Sequence, residues 1–131
     1  MSANLSRQWL NRAEEDLAVA RLVLKEDHIA HACFLSQQCI EKTLKAYLIA
    51  RVNQYPRTHN LIDLLNLCRQ IDSTFSQFHA ECADIDQYYI PTRYPEGIPG
   101  IAPLGMPSTT AAENAVAAAE HILQFVTQKL E

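Results

Sequence analysis

Glycine is scarce in this chain of 131 residues: there are three, at positions 97, 100 and 105. The nucleotide cradles built on glycine-rich loops, the P-loop and G-x-G-x-x-G, are therefore absent. No stretch alternates apolar and polar residues long enough to form a strand. No apolar run approaches the roughly 20 residues of a membrane-spanning helix. The four cysteines, Cys33, Cys39, Cys68 and Cys82, form no C-x-x-C pair and no zinc-ribbon spacing. His28-x-x-His31 lacks a third ligand nearby, so neither a metal nor a cofactor is expected. There is no basic excess either: 11 Lys and Arg stand against 15 Asp and Glu, for a net charge of -4. That balance argues against avid or specific DNA binding, which rests on many Lys/Arg–phosphate contacts. A local basic patch, and RNA as a ligand, stay open.

What remains is ordinary for one globular domain spanning 1–131. Apolar residues make up 48% and charged residues 20% of the chain, and the length is enough to bury a core without disulfides. Residues 1–7 carry no apolar core of a secretory signal. A cytoplasmic protein with reduced, buried thiols is expected.

Helical periodicity runs through nearly the whole chain. A first helix over about 5–26 carries a stripe of Trp9, Ala13, Leu17, Ala20 and Leu24, with Asp16 inside it. A carboxylate there sits at the stripe's wet edge or pairs with a cation from another helix. A second helix over about 29–52 is apolar around most of its girth. Its narrow polar sector holds Gln37, Gln38, Glu41, Lys42 and Lys45, with Glu41→Lys45 and Gln38→Lys42 at i, i+4. That sector reads either as a solvated stripe or as a seam with Lys42 reaching toward Asp16.

A third helix over about 60–71 follows Pro56 and a cap at Thr58 or Asn60, and a fourth spans about 74–89. Residues 91–107 hold five of the six prolines and all the glycines, which excludes helix there. This long loop is functional or mobile. Thr110-Ala111-Ala112-Glu113 reads as a capping box opening the last helix, about 110–130. The expected fold is all-α, an up-and-down bundle of four long helices plus a short one.

Four motifs stand in order: Trp9, Ala13, Asp16-Leu17 and Ala20; Gln37-Gln38-x-x-Glu41-Lys42-x-x-Lys45-Ala46; Thr58-His59-x-Leu61; and Arg93-Tyr94-Pro95. Together they resemble the HEPN domain family, over about residues 5–128. The resemblance implies a homodimer that partners a cognate minimal nucleotidyltransferase, often as a toxin–antitoxin pair, with a nucleotide or RNA as further ligand. Other members of that family are metal-independent ribonucleases with Arg-x4-6-His on the last long helix. Here that helix has His121 and no arginine. Arg21 and His28 match the spacing only at the wrong place.

Metal-free RNA cleavage needs a base, an acid and a cation for the phosphorane. His59 and Arg93 are the candidates for such a displaced site. A phosphate pocket of Lys42, Arg57, His59, Arg93 and Tyr94 is one reading, because a helix N-terminus at 58–60 attracts anions. The other is a purely structural network of Asp16, Gln38, Glu41, Lys42 and Arg93, with His59 anchoring the loop. Phe34 and Ile49 offer a candidate contact surface on the second helix.

Overall fold

The computed structural model describes residues 2–87 and 106–131. The chain runs through α1 (Ser2–Lys25), α2 (Ile29–Val52), α3 (Leu61–Ile71), a 3-10 segment (Ser73–Phe78), α4 (His79–Gln87) and α5 (Thr109–Leu130). The fold is an all-α bundle, as the periodicity predicts. The tract 91–107 falls outside the described residues except for Met106 and Pro107.

α1 and α2 form an antiparallel hairpin joined by a turn in which Asp27 takes the left-handed conformation at φ 64°. The His28 amide donates to the Val23 carbonyl at 2.8 Å and the Asp27 amide to Leu24 at 3.0 Å. These bonds satisfy the carbonyls that a helix end leaves bare. α2 ends the same way, on Asn53 at φ 60°.

α2 is the axis of the bundle, packed against α1, α3, α4 and α5. Cys39, Ile40, Leu44, Ala46, Tyr47 and Leu48 are all buried, as its wide apolar surface demands. Tyr47 packs at a tilt against Phe75 with ring centres 4.6 Å apart, and Phe75 meets Phe125 of α5 edge-on at 5.1 Å. The four thiols are buried and unbridged. Burial pushes those of Cys39, Cys68 and Cys82 up to about 12 and that of Cys33 to about 11.

Four local expectations change. On α1 the buried stripe runs through Leu10, Ala13, Leu17 and Ala20, while Trp9 sits at its half-buried flank. Ser6 completes that face by donating to the Ala46 carbonyl at 2.8 Å, which explains a polar residue in a close helix contact. The fourth helix is split, since residues 73–78 wind as 3-10 after Asp72 caps Thr74. α5 is capped by Ser108, whose Oγ accepts from the Ala111 amide at 3.0 Å, so the capping box at Thr110 is displaced by two residues. Ile49 is buried and Phe34 half-buried, which removes the surface expected from that pair.

Candidate functional site

The polar sector of α2 is not a solvated stripe. Gln37, Glu41 and Lys45 follow one another at i, i+4 and i+8, and all three are buried. They are covered by α1 and by residues 53–60, which leave α2 and fold back across it. Charges at such positions must be satisfied locally, and each one is.

Lys45 Nζ donates to Glu41 Oε2 at 2.8 Å. The same ammonium lies 5.8 Å from the centre of the Trp9 ring and 5.3 Å from that of Tyr55. The two rings meet edge-on at 5.0 Å, so Lys45 is held in an aromatic angle with its charge facing both. Glu41 also accepts from Gln38 Nε2 at 3.3 Å. His59 Nδ1 lies 3.2 and 3.1 Å from the two Glu41 oxygens. A carboxylate can only accept, so Nδ1 is the donor in this contact. The His59 side chain is 62% exposed.

A second chain of bonds fixes the loop backbone. Gln38 Nε2 donates to Gln37 Oε1 at 2.7 Å, and Gln37 Nε2 donates to the His59 carbonyl at 2.8 Å. Beside it, Lys42 Nζ reaches Asp16 Oδ2 on α1 at 2.6 Å. Lys42, Gln8, Trp9, Arg12 and Leu5 line a shallow groove of about 360 Å³ along α1.

The N-terminus of α3 is already occupied. Asn60 accepts from the Asp63 amide at 3.0 Å. The carboxylate of Asp86, brought over from α4, accepts from the Leu61 amide at 2.9 Å and the Ile62 amide at 3.1 Å. Burial raises the Asp86 pKa, and the two amide bonds work against that rise. An anion seeking the free N–H groups of this helix would meet a resident carboxylate.

The structure therefore brings together Asp16 with Lys42, and Gln38 with Glu41 and His59. Arg57 is exposed beside them. Arg93 and Tyr94 lie outside the described residues. Arg21 is ion-paired to Glu120 of α5, while His28 faces His31 at 6.4 Å. Among the described residues no group of three His, Cys, Asp or Glu could hold a metal ion, and no helix is long and apolar enough to cross a membrane. Sequence reasoning missed Trp9, Tyr55 and Lys45 as one cluster, and Asp86 as a cap. The i, i+4, i+8 line of Gln37, Glu41 and Lys45 was the available signal for the first. A cap donated from 25 residues away leaves no local one.

The chain is similar to known proteins along almost its whole length. A protein of Methanocaldococcus jannaschii named "Putative toxin MJ1304" is 30% identical, over 96% of this chain and 88% of its own. The crystal structure of TT1696 from Thermus thermophilus superposes with a TM-score of 0.81 at 34% identity, covering 95% of this chain and 97% of that one. ST0689, described as an archaeal HEPN homologue, superposes with a TM-score of 0.74 at 28% identity, covering 96% and 98%. The sequence profile of the HEPN domain matches residues 6–130, and the chain belongs to the HEPN domain family.

Proposed function

We propose that this chain is the helical, homodimeric member of a toxin–antitoxin-type pair and that it binds a cognate minimal nucleotidyltransferase. The observation that carries this reading is the closed arrangement of the family's polar residues. Glu41 and Lys45 neutralise each other on α2, His59 is hydrogen-bonded to the same carboxylate from residues 53–60, and Lys42 is committed to Asp16. Such a network fixes the position of a surface rather than opening a cleft for chemistry. It leaves Arg57 and His59 exposed on the segment that crosses α2, where a protein partner or the phosphates of a nucleotide could be engaged. The toxin-named relative and the absence of arginine from α5 support the same reading.

Co-expression with the product of the adjacent open reading frame, expected to be a minimal nucleotidyltransferase, tests the proposal. A complex of fixed stoichiometry on size exclusion, weakened by Arg57→Glu, is the expected result. Two separate peaks at micromolar concentration would overturn it.

A second reading, a metal-independent ribonuclease, is favoured by one feature. The His59 ring is held against a buried carboxylate and its side chain is 62% exposed, within reach of a substrate as a general base must be. Cleavage of RNA by the purified protein without metal, abolished in His59→Ala with the fold intact, would establish it.

A further inference from the structure

The outer surface of α1 carries a stripe that nothing in the described chain covers. Leu5, Gln8, Arg12, Glu15, Val19 and Leu22 follow at alternating steps of three and four residues, which places them on one side of the helix. All six are exposed. The stripe lies nearly opposite the buried face of Leu10, Ala13, Leu17 and Ala20. Leu22 is 63% exposed, more than any other large apolar side chain among the described residues. Two further members, Leu5 and Val19, are also among the exposed large apolar residues. Neither Arg12 nor Glu15 has an ion-pair partner among the described residues, although Arg7–Glu14 and Arg21–Glu120 pair on the same helix.

The order of side chains along this stripe is self-complementary. Taken outward from the midpoint between Ala13 and Glu14, Arg12 is matched by Glu15, Gln8 by Val19 and Leu5 by Leu22. We infer that this face is where a second copy of the chain docks, α1 against α1, antiparallel about a two-fold axis at that midpoint. Each Arg12 then faces Glu15 of the second copy, twice over, as an isologous contact requires. Each Leu5 meets Leu22 and Val19 of the second copy, which gives an apolar cluster at either end. A parallel pairing would set Arg12 on Arg12 and Glu15 on Glu15, so the charges select the antiparallel register. The 3.5-residue spacing of the stripe suits the shallow crossing of coiled-coil-like helix pairs. The groove of Leu5, Gln8, Trp9, Arg12 and Lys42 then runs along the edge of the contact. This assignment rests on the homodimer in the proposed function and supplies its surface.

The test is a charge exchange in the full chain, read by sedimentation equilibrium with circular dichroism as the folding control. Arg12→Glu and Glu15→Arg should each raise the dimer dissociation constant about 100-fold, because like charges then meet twice. The double exchange R12E/E15R should restore it, and Leu22→Asp should weaken the dimer without such rescue. A dimer indifferent to both single substitutions overturns this interface while leaving the homodimer intact. A wild type that stays monomeric at every concentration overturns both. A monomer that binds the nucleotidyltransferase, and loses it on Arg12→Glu, overturns the second copy as occupant and assigns the face to that protein.

Discussion

Lys45 Nζ lies 2.8 Å from Glu41 Oε2, one turn apart on α2, and both side chains are only 6% exposed. An i, i+4 pair on a helix surface contributes a few tenths of a kcal/mol. Here the surroundings change the magnitude. Removing one member strands the other charge beneath Trp9 and Tyr55, which costs about 3–5 kcal/mol. Glu41→Ala and Lys45→Ala should each lose that much in chemical denaturation. Replacing both by methionine should recover most of it, since a packed apolar pair of similar volume is often neutral. If the double variant is no better than either single one, the pair is not the source of the loss.

The ion pair between Asp16 and Lys42 is as short, at 2.6 Å, but both groups are half-buried. Solvent screens it and side-chain entropy opposes it, so the coupling should be about 1 kcal/mol. A double-mutant cycle with Asp16→Asn and Lys42→Met measures it. A coupling near that of Glu41 and Lys45 would show that the flank of α1 is drier than its exposure indicates.

The contrast between these two pairs marks how far the sequence could be read. Asp16 interrupts an apolar stripe, so α1 alone left it either at a wet edge or paired with a cation from another helix. Lys42 was one partner offered, and the ion pair is the alternative found. The helices were legible for the same reason, because apolar spacing reports which face is buried. The depth of Glu41 and Lys45 was not. A helical wheel assigns them to a polar sector, and it is Trp9 of α1 together with the return of residues 53–60 across α2 that removes them from water. That return leaves no periodic signal beyond Pro56. The cap of α3 was hidden more completely, since Asp86 lies 25 residues from Leu61 and meets it only in the packed bundle. At α5 the capping-box pattern pointed to Thr110, but Ser108, two residues earlier, is the cap.

Asp72 ties the 3-10 segment to the end of α5. Its Oδ2 accepts from Lys129 Nζ at 2.8 Å, and its Oδ1 accepts from the Thr74 amide at 3.0 Å. The Lys129 bond first, then those from Thr74, hold its pKa down at about 2 against an ordinary 3.8. A carboxyl with a lowered folded pKa stabilises the fold above its unfolded value and loses that contribution as pH falls through the folded one. Thermal melts from pH 5 to pH 2 should therefore fall more steeply for the wild type than for Asp72→Asn, the two converging near pH 2. Parallel curves would mean that the Lys129 bond does not persist in solution.

Asp86 should behave in the opposite sense. Desolvation raises its folded pKa despite the bonds from Leu61 and Ile62, so the folded chain holds that proton more tightly than the unfolded one. Stability from this group is then lost as pH rises from 3.8 through the folded pKa, and regained on acidification. Asp86→Ala frees two amide donors at the start of α3, at a cost of about 1–2 kcal/mol by analogy with a lost cap. Amide exchange at Leu61 and Ile62 should accelerate ahead of the rest of α3. Because the wild-type group gains on acidification and alanine cannot, the stability difference between wild type and variant should widen as pH falls from about 7 toward about 4. A gap that narrows over that range would mean that the amide bonds outweigh burial and that Asp86 is a net charged cap. In that case a carboxylate at this helix end, rather than an external phosphate, would be what the α3 N-terminus is built to hold.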